Sequence, residues 1–241
     1  MVWKSILKNI PGYFLLLDPD RIEKREIKSM MEKINVSKAS GVLVGTSLLL
    51  SPEFDEFVRV VKENINKPVI IFPGGSHQVS RYADAILFMI LLSGRNPEFL
   101  IGEQVRAAPL IYHFKIEPIP TGYILIESGK QTSVEFMSNT RPIPRDKPDI
   151  LLAHALAGQY LGLKLIYLDA GSGAENSIPP QMIRTLKKKI DVTLMVGGGI
   201  RNKKTAHELI ESGADFIVIG NAFQKNREII KEMDEIVNCF Y

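Results

Sequence analysis

Three glycine-centred segments in the last third of the chain have the make-up of a phosphate cradle: Tyr167-Leu168-Asp169-Ala170-Gly171-Ser172-Gly173-Ala174, Val196-Gly197-Gly198-Gly199-Ile200 and Ile219-Gly220-Asn221. Each begins as an apolar run of strand length ends. One such glycine is ordinary turn chemistry, because glycine takes positive φ without steric cost. Three in succession, separated by helical patterns, match the last loops of a (β/α)8 barrel, where backbone N–H groups and a nearby helix N-terminus hold one phosphate. The implied chemistry is that of an enzyme acting on a phosphorylated substrate.

Carboxylates stand where such an enzyme needs them. Asp169 ends one apolar run beside the Gly171-Ser172-Gly173 loop, where it can orient a sugar or glycerol hydroxyl or take its proton; it also suits a cap on the following turn. Glu127, after Tyr123-Ile124-Leu125-Ile126, is a second rim carboxylate. Asp18 directly follows Phe14-Leu15-Leu16-Leu17, and Ser47 closes Leu43-Val44-Gly45-Thr46-Ser47. A carboxylate, a hydroxyl and diphosphate oxygens form the hard-oxygen environment that Mg²⁺ accepts while keeping several waters. Asp18 equally suits a cap on the Pro19-Asp20 turn and Ser47 a helix cap, so both readings stand. His77 and His154 have no metal-ligand partner at a recognisable spacing and are read as surface or interface histidines.

Positioning these groups takes eight strands, and eight candidates are present, near 13–17, 41–45, 68–72, 84–88, 121–127, 164–168, 192–196 and 215–219. Runs such as Leu165-Ile166-Tyr167-Leu168 are apolar throughout, as parallel strands buried on both faces require. Helical patterns fall near 22–34, 53–65, 97–111, 147–162, 179–189, 203–213 and 222–238. Pro52 and the Pro179-Pro180 pair suit helix starts, and Gly213 suits a helix C-cap. Between the third and fourth strands there is room only for a turn or short helix, around 76–82. The polar stretch 128–147 is long for a compact domain and reads as a lid or an assembly surface. Trp3 is expected to cover the bottom or edge of the barrel.

Composition agrees with one barrel domain over 1–241. The chain has 241 residues, 45% hydrophobic and 24% charged, enough for a large core. A net charge of +3 from 30 basic and 27 acidic residues, spread along the chain, gives no nucleic-acid footprint. The Lys187-Lys188-Lys189 run reads as a solvated helix end. Cys239 is the single cysteine, which excludes an internal disulfide framework and fits a reducing, cytoplasmic setting. The start lacks a signal-peptide pattern, and the apolar runs are too short to span a bilayer.

These segments, together with Leu17-Asp18-Pro19-Asp20, Val44-Gly45-Thr46-Ser47, Phe72-Pro73-Gly74-Gly75-Ser76, Tyr82-Ala83-Asp84-Ala85-Ile86-Leu87-Phe88 and Arg141-Pro142-Ile143-Pro144-Arg145-Asp146-Lys147-Pro148, resemble the geranylgeranylglyceryl phosphate synthase family over nearly the whole chain. The resemblance implies a Mg²⁺-dependent prenyltransferase that joins the C3 hydroxyl of sn-glycerol 1-phosphate to a prenyl diphosphate, the first ether bond of an ether lipid. It also implies that Asp18 and Ser47 hold Mg²⁺. Glycerol phosphate would be held by Tyr167, Leu168, Asp169, Ala170, Gly171, Ser172, Gly173, Gly198, Gly199, Gly220 and Asn221, with Asp169 as the catalytic group. The family usually has Glu at the Asp169 position. Its bacterial heptaprenyl relatives carry a Lys where this chain has Leu16, which aligns this chain with the archaeal-type branch. A homo-oligomer is expected, with transient contact at a membrane surface for product release. Two other readings share the glycines: another phosphate-binding barrel, an isomerase or synthase, which needs no divalent-metal pair at the first two strands, and a barrel that binds a phosphorylated ligand without turnover.

Overall fold

In the computed structural model, which describes residues 1–240, eight parallel strands close into a barrel in chain order. They are β1 (Gly12–Leu17), β2 (Gly41–Val44), β3 (Val69–Ile71), β4 (Ala85–Leu91), β5 (Glu117–Leu125), β6 (Leu165–Asp169), β7 (Thr193–Gly197) and β8 (Phe216–Ile219). Closure pairs Gly12 with Phe216 and Leu15 with Ile219. Helix α1 (Val2–Ile6) precedes the barrel, α2 (Lys24–Val36) follows β1 and α3 (Phe54–Asn64) follows β2. After β4 a π-helical turn at Glu98–Gly102 leads into α4 (Glu103–Phe114). Strand β5 is followed by α5 (Ser133–Ser138) and α6 (Pro148–Tyr160), β6 by α7 (Pro180–Lys187), β7 by α8 (Lys203–Glu211), and β8 by α9 (Asn221–Lys225) and α10 (Ile229–Asn238).

Strand alternation sorts the side chains into two cores. On β1, Tyr13, Leu15 and Leu17 pack in the helical layer and Phe14 faces the axis; on β6, Ile166 and Leu168 face the helices while Leu165 and Tyr167 face in. Trp3 of α1 packs on Phe216 at 5.8 Å between ring centroids, and Phe216 on Phe14 at 5.3 Å. These rings plug the N-terminal end of the barrel, as expected for Trp3.

Two like clasps also close that end. Lys62 of α3 reaches both oxygens of Asp84 at 2.6 and 2.7 Å, and the Val69 N–H at the start of β3 donates to the same carboxylate at 2.8 Å. Lys187 of α7 reaches both oxygens of Asp215 at 2.6 Å, with the Leu194 N–H of β7 at 2.8 Å. Lys187 is therefore a partner in an ion pair rather than part of a solvated run.

The elements depart from the expected ones at three places, in β5, in 128–147 and in 222–238. Strand β5 begins at Glu117 rather than 121, with Pro118 and Pro120 inside it. Those prolines are tolerated because β6 pairs only from Thr121 onward, so no ladder donor is lost. Between β3 and β4 the turn alternative holds: no helix follows β3, and residues 72–84 form turns. The 128–147 stretch contains α5. The pattern at 222–238 is two helices, because Asn226 turns extended (φ −142°, ψ 105°) and its side chain accepts the Glu228 N–H at 3.0 Å, opening α10.

Candidate active site

Inward parity carries through each strand to the C-terminal rim, so Asp18, Gly45, Phe72, Asp169, Gly197 and Gly220 all face the axis at one end. There a cavity of about 560 Å³ opens. Its wall contains Asp18, Ser47, Tyr167, Asp169, Gly171, Ser172, Gly173, Gly198, Gly199, Gly220 and Asn221, residues drawn from both ends of the chain. Leu168 and Ala170, named with them from the sequence, are fully buried with the opposite parity, in the helical layer. Glu127 is exposed and outside the wall, and His154 sits on α6 beside Arg95 at 3.1 Å. His77 is exposed at the cavity edge.

The glycine loops interlock through their backbones. Gly198 has φ +82°, and a Cβ there would lie 2.7 Å from Ala170 N and 2.8 Å from both Asp169 Oδ1 and Gly171 N. At Gly199, φ +70°, a Cβ would lie 2.7 Å from Ser177 N. The β7 loop is thus seated against the β6 loop with no room for a side chain. Asn221, opening α9, ties a third and fourth loop in: its Oδ1 accepts from Ser172 Oγ at 3.3 Å and from Arg21 Nη1 at 3.4 Å.

Asp169 lies at the floor of this concavity. Its Oδ2 accepts from the Tyr123 hydroxyl at 2.6 Å and its Oδ1 from the Gly171 N–H at 2.7 Å. Burial pushes the carboxyl above its ordinary range, and the two hydrogen bonds pull it partly back. The phenols of Tyr123 and Tyr167 are pushed well above theirs, by burial first and then by the Asp169 charge. Phe72, Tyr123 and Tyr167 form an aromatic cluster, with centroids 5.1 Å (Phe72–Tyr167), 5.5 Å (Tyr123–Tyr167) and 5.8 Å (Phe72–Tyr123) apart.

Asp18 does two things at once. Its Oδ1 accepts the Asp20 N–H at 3.0 Å, the turn cap, while Oδ2 faces Arg21 Nε at 3.1 Å and Thr46 Oγ1 at 3.4 Å across the cavity rim. Burial pushes its carboxyl up, against the pull of the Asp20 amide and Arg21. Ser47 is half-buried in the same wall. Among the described residues no group of three or more His, Cys, Asp or Glu side chains is placed to hold a metal ion. The wall carries the carboxylates of Asp18, Asp20, Glu103 and Asp169 against the guanidinium groups of Arg21 and Arg201. Glu103 is itself paired with Arg106 at 2.6 Å, so the carboxylates left to face a bound polyanion are those of Asp18, Asp20 and Asp169.

The cavity does not stop at the axis. Its wall also includes Val79, Ile86, Phe88 and Ala107, which belong to the helical layer. Because no helix follows β3, the space between α3 and α4 is left open, and the cavity spills over the β4 rim into it as an apolar groove. Gln78 secures this helix-free segment: its Nε2 donates to Thr46 O at 2.8 Å and its Oε1 accepts the Thr46 N–H at 3.3 Å.

A profile of the PcrB family matches residues 4–239. The chain belongs to the PcrB family. Within it, the chain is similar to the geranylgeranylglyceryl phosphate synthase of Thermococcus gammatolerans, 46% identical with 93% of this chain and 89% of that protein covered. It is 42% identical to the enzyme of the same name from Chitinophaga pinensis, over 96% of this chain and 92% of that one. Among solved structures it is similar to (S)-3-O-geranylgeranylglyceryl phosphate synthase from Thermoplasma acidophilum in complex with sn-glycerol-1-phosphate, with TM-score 0.90 and 33% identity over 97% of this chain and 94% of that one.

In this PcrB-family barrel the residues that sequence reasoning passed over are Tyr123, Thr46, Arg21 and Gln78. Tyr123 had a signal, since it stands two residues before Leu125 with the inward parity of β5. Gln78 had none: a polar residue in a turn-rich stretch gives no sign that it is fully buried.

Proposed function

We propose that this chain is a geranylgeranylglyceryl phosphate synthase, joining the C3 hydroxyl of sn-glycerol 1-phosphate to a prenyl diphosphate. The observation that carries the reading is a single cavity in which an interlocked glycine cradle opens directly into an apolar groove. The cradle fits a small phosphate ester and the groove fits a hydrocarbon tail, and the two meet at Asp169. The names of the Thermococcus and Chitinophaga relatives, and the glycerol phosphate bound to the Thermoplasma protein, support it.

In this reading the backbone N–H groups of the 172–173, 198–199 and 220–221 segments hold the phosphate, while the Gly171 N–H holds Asp169. Asp169 orients the C3 hydroxyl and takes its proton as the oxygen bonds to the allylic carbon. The carbon–oxygen bond to the diphosphate breaks at the same centre, and its electron pair leaves with the diphosphate. Phe72, Tyr123 and Tyr167 line the cavity beside Asp169, where a ring face stabilises positive charge developing on the allylic carbon, and their bulk excludes water that would otherwise trap it. Asp18 and Ser47 are the oxygen donors that would hold Mg²⁺, and the excess of carboxylates over guanidinium groups in the wall fits a site completed by a cation. When bound, Mg²⁺ neutralises the departing diphosphate.

The test is incubation with glycerol 1-phosphate and a series of prenyl diphosphates, with and without Mg²⁺, followed by product mass. A prenylated glycerol phosphate formed only with Mg²⁺, and faster from glycerol 1-phosphate than from its 3-phosphate enantiomer, is expected. Absence of product with every prenyl diphosphate overturns the reading; equal rates from both enantiomers overturn the assigned role of the cradle.

A further inference from the structure

The Arg-Pro-Ile-Pro-Arg segment has no part in the chemistry above, yet the structure places it behind the phosphate cradle. The chain leaves β5 at Glu127, passes through α5, and returns so that Ile143 lies alongside the end of β5: Ile143 N–H donates to Leu125 O at 2.9 Å and Glu127 N–H to Ile143 O at 3.0 Å. This added parallel bridge, with Ile143 buried, fixes the return arm to the barrel. Two residues on, the Arg145 Nη1 donates to Glu127 O at 3.1 Å and to Ser177 O at 2.8 Å. Ser177 ends the β6 loop, and Ser177 N is the atom closest to where a Gly199 Cβ would sit.

The outgoing arm grips the same loop. Ser128 O accepts the Asn176 N–H at 3.0 Å and Asn176 Nδ2 at 3.2 Å. Gly129 has φ +94°, and a Cβ on it would lie 2.8 Å from Asn176 Nδ2. Further along, Thr132 presses its side chain where a Gly171 Cβ would be, and its hydroxyl is held by Glu135 at 2.7 Å. Both arms of the insertion therefore converge on the loop from 171 to 177. Both hydrogen bonds of Arg145 leave one nitrogen, Nη1, and end on main-chain carbonyls; its two N–H bonds are fixed in the guanidinium plane, unlike the freely rotating donors of a lysine.

We propose that Arg145 is a positioning residue for the phosphate site, a strut that locks the 171–177 loop, and through Ser177 the Gly198-Gly199 turn, into its phosphate-binding shape before substrate arrives. The inference rests on the reading of these loops as the glycerol phosphate site. The strut touches neither substrate. Its effect is on the entropy of the cradle: a loop already ordered loses less freedom on binding.

The experiment compares Arg145→Ala, Arg145→Lys and Gly129→Ala with the wild-type chain. Gly129→Ala strains the same junction from the other arm without removing a charge. Amide hydrogen exchange across 170–178 is measured in the free protein, and KM is measured for glycerol 1-phosphate and for the prenyl diphosphate separately. The expected result is faster exchange in that loop for Arg145→Ala and Gly129→Ala with wild-type protection in β1 to β4. Their KM for glycerol 1-phosphate should rise about tenfold or more, the scale of one lost charged hydrogen bond, with KM for the prenyl substrate within about twofold, below the cost of a typical contact. Lysine should restore little, and added guanidinium ion should partly rescue Arg145→Ala. Unchanged loop exchange, or equal weakening of both substrates with a general loss of protection, overturns the proposal. Should the wild-type protein bind no glycerol 1-phosphate, the substrate reading fails, and the exchange measurement still decides the strut by itself.

Discussion

Replacing Gly198 by alanine tests the interlocked cradle most directly, because the chain supplies its own control. Gly162, after α6, has φ +84°, almost the same as the +82° of Gly198, but a Cβ there would meet nothing within 4 Å. Gly162→Ala therefore carries only the left-handed backbone penalty, about 1–2 kcal/mol, which at this chain length lowers Tm by about 2–8 °C. Gly198→Ala carries the same penalty plus a collision with two backbone nitrogens that cannot retreat freely. Ala170 N–H is bonded to Gly197 O at 3.1 Å, and Gly171 N–H to the Asp169 carboxylate at 2.7 Å. Displacing that segment gives up one neutral and one charge-assisted hydrogen bond, about 2–4 kcal/mol together, so the total is about 3–6 kcal/mol. Calorimetry gives Tm for both variants, and titration gives the dissociation constant for glycerol 1-phosphate. The expected pattern is a modest Tm loss with wild-type binding for Gly162→Ala, and a larger Tm loss with binding weakened at least about tenfold for Gly198→Ala, each further tenfold marking about 1.4 kcal/mol of cradle distortion. If the two variants melt together and both bind as wild type, the close approach of the two loops is not what shapes the site.

Asp169→Asn should lower kcat by about 10²–10⁴-fold, the range for loss of a general base, without lowering Tm at neutral pH. The folded chain holds the Asp169 proton to higher pH than the unfolded chain does, so above that range the ionised form costs stability and the amide removes the cost; a large Tm loss with activity retained would refute this. Asp169→Glu, which restores the residue usual in the family, should stay active, as steady-state rates would show. Asp18→Ala should remove most Mg²⁺-stimulated turnover, about 10²-fold or more, with circular dichroism unchanged.

The barrel was legible because most of its buried parallel strands read as unbroken apolar runs, and the rim was legible at β1, β2, β6, β7 and β8, whose runs lead into glycine or Asp. The ends of β5 were not, since Pro118 and Pro120 look like strand breakers until the register shows that β6 starts only at Leu165. The cavity wall was legible where it is made of backbone: glycines at 171, 198, 199 and 220 stand out in the sequence by type and line the cavity in the fold. It was illegible where it depends on polar side chains that meet only in space. Tyr123 and Asp169 stand 46 residues apart, and Gln78 and Thr46 stand 32 apart; nothing local marks either pair. Leu168 and Ala170 were drawn into the site by adjacency in sequence, and strand alternation takes them out of the cavity wall. The 128–147 stretch read as a lid or assembly surface because it is long and polar, and its main-chain bonds to the β6 loop appear only in the fold.

The lysine–aspartate clasp that shuts the barrel between β3 and β4 returns, residue type for residue type, between β7 and β8. Each uses a lysine from the helix before an odd strand, an aspartate one residue before the next even strand, and the amide at or next to the start of that odd strand. The backbone has eightfold order, but its ionic stitching has twofold order, repeating after half a turn. A half-turn about the barrel axis therefore carries one clasp onto the place of the other. The opposite end lacks the symmetry: the glycine loops at 171–173, 198–199 and 220–221 lie in the second half, and Asp18 and Ser47 in the first. The end that needs only to stay closed thus uses one device twice, and the two halves differ at the end that carries the cavity.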